Sequence, residues 1–186
     1  MAPSSEPGND LFRPRKGRLY HFLSLWCSAC ALPRGAMFED NVQALVRRFY
    51  ALQSERVEAY HLLEEGHRAY LRSGPDYDFI RYRQLVHEIT VGFNGISREI
   101  LQIKGKLEGP HGRPDLAHHL GRIQEKEKEK LELTVQLQLA KQNVQDHPEV
   151  ESHPQEVREL KHKLIQTIEA ISEILQDFKY DSEEAP

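Results

Sequence analysis

Two Glu-x-x-His pairs, Glu64/His67 and Glu159/His162, are the residues whose types and spacing come nearest to catalytic chemistry in this sequence. In ferritin-like bundles such pairs on two helices, joined by one Glu from each of two others, hold a di-iron or di-manganese centre. The helices that would supply the remaining carboxylates offer Tyr82, Arg83, Gln136 and Gln138 instead. Both pairs also sit beside an apolar stripe rather than on it, so they read as surface polar residues. Trp26-Cys27-Ser28-Ala29-Cys30 matches the WCxxC of thioredoxin-like oxidoreductases. That chemistry needs the first thiol at a helix N-terminus inside a βαβ unit, and nothing around it reads as a strand. As a zinc site it supplies one cysteine pair where four ligands are required. His118-His119 and His87-Glu88 are short of a ligand set as well. The sequence has no phosphate-binding loop, no dinucleotide fingerprint and no nucleophile elbow. These residues predict a non-enzymatic chain with no metal, no cofactor and no small-molecule substrate.

The elements that would position any site are helical. The chain has 186 residues, 29% charged and 39% hydrophobic, with a net charge of -4, the size of one domain with or without an arm. No apolar run reaches the roughly 18–20 residues a membrane span needs, and two cysteines do not make a disulfide framework. The first 36 residues carry five basic and two acidic residues, a net +3, leaving the remainder at a net -7. Arg13 to Arg18 followed by the apolar run Leu19–Leu32 imitates a secretory signal peptide. His21 and Ser24 inside the run, and Glu6 and Asp10 ahead of it, oppose that reading. Residues 1–37 are therefore expected to be a variable, mostly disordered extension, with the protein intracellular, nuclear or cytoplasmic.

From Asn41 onward apolar residues recur at three- and four-residue steps. The pattern predicts helices over about 40–72, 79–108, 115–144 and 155–179. The second has an unbroken seam of Tyr82, Val86, Ile89, Phe93, Ile96, Ile100, Ile103 and Leu107. The first is interrupted at Arg56 and Gly66, and the third at Glu125–Lys130, which reads as a solvated charged face. In the fourth, Val157, Leu160, Leu164, Ile168, Ile171, Ile174, Leu175 and Phe178 form the stripe. Short Gly/Pro-rich connections make neighbours antiparallel. The expected fold is all-α, an elongated antiparallel four-helix bundle or set of helical hairpins, with a helical domain over 38–180 and an acidic tail over 181–186.

The densest polar-aromatic stretch falls where the first helix ends and the second begins. Glu64, His67, Arg68, Tyr70, Tyr77, Asp78, Phe79, Arg81 and Tyr82 are candidates for a protein-docking corner, because Tyr and Arg are enriched at interface hot spots. The same residues also suit a purely structural corner, with Tyr77 and Phe79 covering the bundle end and Asp78 capping the second helix. Direct nucleic-acid binding is expected to be weak, since 20 basic against 27 acidic residues beyond position 36 leave no sustained basic face.

LEEGHRAYLRSGPDYDFIRYRQLVHEIT from Leu63, SREIL at Ser97–Leu101, and IQTIEAISEILQDFKYDSE at Ile165–Glu183 resemble the Required for excision 1-B domain family. The resemblance spans roughly residues 40–184 and stops before about 38. It implies a link to DNA excision repair and carries no catalytic residue to transfer. The expectation is an all-helical adaptor that acts in repair by binding other proteins. The alternatives are a coiled-coil-like subunit of a cytoplasmic assembly unrelated to repair and, more remotely, a di-metal bundle enzyme.

Overall fold

The computed structural model describes residues 41–183. The N-terminal extension, the Trp26–Cys30 pattern and the last three residues of the acidic tail lie outside the described residues. Within them the chain forms four α-helices: α1 Val42–Arg72, α2 Phe79–Glu108, α3 Pro114–Asp146 and α4 Ser152–Glu183. The fold is all-α, an antiparallel helical bundle. Among the described residues there is no strand, and no helix is long and apolar enough to cross a membrane.

Local chemistry accounts for the helix ends. The Asn41 side chain accepts a hydrogen bond from the Ala44 amide at 2.7 Å and caps α1. Asp78 does the same for α2 through the Arg81 amide at 3.2 Å. At α3 no side chain caps the helix: it opens on Pro114, and Asp115 lies in its first turn, held by the Arg113 guanidinium at 2.6 Å. Proline suits that position because the first-turn amides have no partner to lose. The same physics corrects the start of α4, which begins at Ser152 and contains Pro154 in its first turn. The other end of α4 runs through Glu183, so Asp181–Glu183 are helical and not a frayed tail.

Sequential helices pair as antiparallel hairpins, with α3 between α2 on one side and α4 on the other. At the start of α1, Arg48 grips Glu99 of α2 at 2.5 and 2.8 Å. In α4 the inward positions are 157, 160, 164, 167, 171, 174 and 178, an unbroken three-four alternation. Thr167 therefore faces inward, its hydroxyl bonded to the Lys163 carbonyl and to Glu129. Ile168, expected in the stripe, is exposed.

Midway along the bundle the core turns polar, and two of the three interruptions of the stripes, Arg56 and Glu125–Lys130, lie there. Arg56 is 3% exposed and Glu127 is 8% exposed. The Arg56 guanidinium donates to Gln53 at 2.8 Å on its own helix, to Gln124 of α3 at 2.7 Å, and to Ser97 of α2 at 3.3 Å. Glu127 stands 4.0 Å from Arg56 and 3.8 Å from Lys130, and one of its oxygens is buried without a hydrogen bond. Lys130 Nζ lies over the Tyr60 ring, 3.9 Å from its centroid. Burial pushes the Tyr60 hydroxyl upward and the Arg56 and Lys130 cations downward from their ordinary pKa ranges. Glu127 and Lys130 are thus part of the interior, which corrects the reading of this charge block as a solvated face.

Candidate functional site

The corner is built where α1 ends, α2 begins and α3 ends. Ser73 stops α1, its hydroxyl donating to the Tyr70 carbonyl at 2.6 Å and accepting from the Asp78 amide at 2.9 Å. One hydroxyl thereby couples the last turn of α1 to the cap of α2. Gly66 lets the two helices close on each other: a Cβ there would meet Leu85 Cδ2 at 1.9 Å.

Four of the nine candidate residues are brought together facing inward. Tyr70 stacks on Tyr82 with ring centroids 4.7 Å apart and on Tyr77 at 4.9 Å. His67 lies 5.7 Å from Tyr82. The Tyr82 hydroxyl donates to Gln138 of α3 at 2.7 Å, and the Tyr77 hydroxyl bonds Asp146 at the end of α3. Gln145 completes the tie by donating to the Leu71 carbonyl at 2.7 Å. Burial pushes the His67 ring down to about 4, with Lys141 adding to the depression, so the ring is neutral. The Tyr82 phenol is pushed up to about 12 by burial and by Tyr70. These aromatic groups brace the end of the bundle, with Tyr77 stacked on Tyr70 and tied to Asp146.

Phe79 does not cover the bundle end. This residue is 57% exposed and its neighbour Ile80 is 77% exposed. Glu64, Arg68, Asp78 and Arg81 are also exposed. Together with Glu65, Arg72, Asp76 and Arg83, likewise exposed, they ring the corner with four acidic and four basic side chains. Phe79, Val86 and Thr90 fall on one face of α2 by their spacing, leading to a partly open cavity of about 260 Å³ between the helices. Leu63 and Phe93 line its floor, His67, Tyr82 and Gln138 its corner end, and Leu139 its wall on α3. Sequence reasoning missed Ile80 and the cavity. Ile80 lies off the α2 seam, which is the one signal that marks it as outward.

The two Glu-x-x-His pairs do not become a ligand set. His67 is turned into the aromatic cluster while Glu64 is exposed, and Glu159 and His162 are both exposed. Among the described residues no group of three or more His, Cys, Asp or Glu side chains is placed to hold a metal ion.

The stretch that builds this corner also carries the relationship to known proteins. A family model described as DNA repair REX1-B matches residues 44–141, more than half of the chain. The chain belongs to the DNA repair REX1-B family. Its match runs from the first turn of α1 to the C-terminal part of α3, and so contains the polar layer and all of the corner and cavity except Gln142, Gln145 and Asp146. The chain is 44% identical over 146 residues to a Required for excision 1-B domain-containing protein of Bos taurus, covering 77% of this chain and 78% of that one. A protein of the same description from Mus musculus is 42% identical over 145 residues, with 77% and 83% covered. No solved structure matches.

Proposed function

We propose that this REX1-B chain is a non-enzymatic adaptor in DNA repair, which docks a protein partner at the corner where α2 begins. The observation that carries this reading is the outward pair Phe79 and Ile80, two large apolar side chains on a corner braced from within. Exposed apolar anchors surrounded by polar groups are what a protein interface asks for. The ring of four acidic and four basic residues argues in the same direction. A phosphate backbone requires a concentration of positive charge that this ring does not supply. The link to repair rests on the family to which the chain belongs.

The test is capture from nuclear extract with the wild-type chain and with Phe79→Ala/Ile80→Ala. The variant is expected to lose the repair partner while melting like the wild type, because both side chains are exposed. Submicromolar binding of short duplex DNA at physiological salt, abolished by the same changes, would replace the adaptor with a direct DNA-contacting protein. Proximity labelling in damaged and undamaged cells is expected to enrich repair proteins. Enrichment of cytoplasmic proteins alone, indifferent to damage, would favour the assembly-subunit reading instead.

A further inference from the structure

The polar layer divides the bundle into two halves of different construction. Nine of the largest side chains are fully buried: Phe49, Leu52, Ile96, Ile100, Leu107, Leu116, Leu120, Ile123 and Phe178. All nine lie at the level of Arg56, Ser97 and Gln124 or beyond it, on the side away from the corner. There α1 and α4 also meet, with Phe49 and Phe178 edge-to-face at 4.9 Å. On the corner side the apolar contacts separate into two clusters. One joins Ala59 and Leu63 to Ile89 and Phe93, and the other joins Leu137 and Ala140 to Leu160. The cavity lies beside the first of these. What ties the corner to α3 is polar and mostly at the surface: Tyr77 to Asp146, Gln145 to Leu71, Tyr82 to Gln138.

The boundary itself is imperfectly matched. One Glu127 oxygen is buried without a hydrogen bond, and its two cations stand at 4.0 and 3.8 Å, outside hydrogen-bond reach. A buried ionic group gains little over the apolar packing it replaces, so on α1 and α3 the turns on either side are not joined by continuous apolar contact, and the α2 seam alone of these three runs through. Opening free energies follow buried apolar contact and exposure of hydrogen bonds.

We propose that the corner half opens as a unit while the other half stays closed, with the Arg56–Gln124–Glu127 layer as the boundary. The opening part is α1 beyond Tyr60, α2 before Phe93, α3 beyond Leu131 and, packed on it, α4 before Leu164. Its opening widens the cavity and uncovers the apolar wall behind Phe79. Use of that wall by a partner rests on the docking reading; the opening does not.

Native-state hydrogen exchange on the full chain tests the opening directly. Amides of Leu63–Tyr70 and Val135–Gln142 are expected to be about 100-fold less protected than those of Ile100–Leu107 and Leu116–Ile123. They should also show a shallower denaturant dependence. A single protection level and a single slope across both halves would overturn the proposal. Replacing the layer with Arg56→Met, Gln124→Leu and Glu127→Leu is expected to narrow the gap at least about tenfold, and an unchanged gap would remove the layer as boundary. Should that variant not fold, native-state proteolysis of the wild-type chain decides. First cuts in helical residues 61–92 or 132–142 support the proposal, and first cuts in 97–107 or 116–127 overturn it. Loss of partner capture by Phe79→Ala/Ile80→Ala is read separately, so either idea can fail alone.

Discussion

The half of the bundle around Phe49, Ile100 and Leu120 and the half around Tyr70, Tyr82 and His67 are built from the same helices, yet different forces hold them. The first is a packed apolar interior in which all four helices take part. The second relies on stacked rings, on side-chain hydrogen bonds at the surface, and on a cavity it does not fill. In a close-packed interior a gap of about 0.5–1 Å already forfeits a quarter to a half of each contact, whereas rings beside a cavity have room to move and water can replace a surface hydrogen bond. One half therefore resists small motions and the other yields to them.

Four measurements break or sharpen that contrast. Phe178→Ala removes a fully buried ring from the packed half and is expected to cost about 4–5 kcal/mol in urea unfolding, against about 3 kcal/mol for Phe93→Ala beside the cavity. A larger loss at Phe93 would reverse the ranking of the halves.

Acid should act on the corner first. His67 titrates at about 4 when folded and near 6.5 when unfolded. The folded chain therefore binds fewer protons between those values, so its stability rises with pH across that window. The contribution is complete above about pH 6.5 and falls as pH drops toward 4, by up to roughly 3 kcal/mol. Wild type is expected to lose more stability than His67→Gln between pH 7 and pH 4.5. Matching pH profiles would mean that the ring is not held neutral.

Gly66→Ala drives a methyl into the Cδ2 tip of Leu85, which can rotate aside, and Ala favours the helix, so the net cost is expected to stay at about 1 kcal/mol or less. Adding Leu85→Ala should recover part of that loss if close helix approach is the cause. The smallest effect is expected from Tyr77→Phe, which deletes the bond to Asp146 and keeps the ring on Tyr70. Its melting temperature should fall by less than that of Gly66→Ala, with faster exchange confined to the corner.

Periodicity reveals the bundle because apolar spacing and burial are the same fact seen twice. The α2 seam shows this from Ile89 to Leu107, every predicted position being buried. Periodicity does not reveal what a polar residue does when it lands on the seam. Arg56 breaks the first stripe as an exposed charge would, and only Gln53, Ser97 and Gln124, drawn from three helices, make its burial tolerable. Glu127 was harder still, because the lysines around it imitate a surface. Thr167 and Ile168 exchanged places for a related reason: hydrophobicity favours the isoleucine, while the three-four register and two available acceptors favour the threonine. At the corner the sequence shows which residues gather, but not that Tyr77 turns in and Phe79 turns out. That choice depends on Asp146, 69 positions away along the chain.

The balanced ring of charge at the corner has a kinetic consequence. With four acidic and four basic side chains exposed around Phe79, the surface projects little net field beyond a Debye length, about 8–10 Å in ordinary buffers. On the docking proposal these charges add little local steering, so encounter is expected near the unsteered rate of about 10⁵–10⁶ M⁻¹s⁻¹, with any ionic-strength dependence set by the excess of acidic residues in the rest of the chain. On the same proposal, selectivity resides in how slowly the correct partner leaves Phe79 and Ile80.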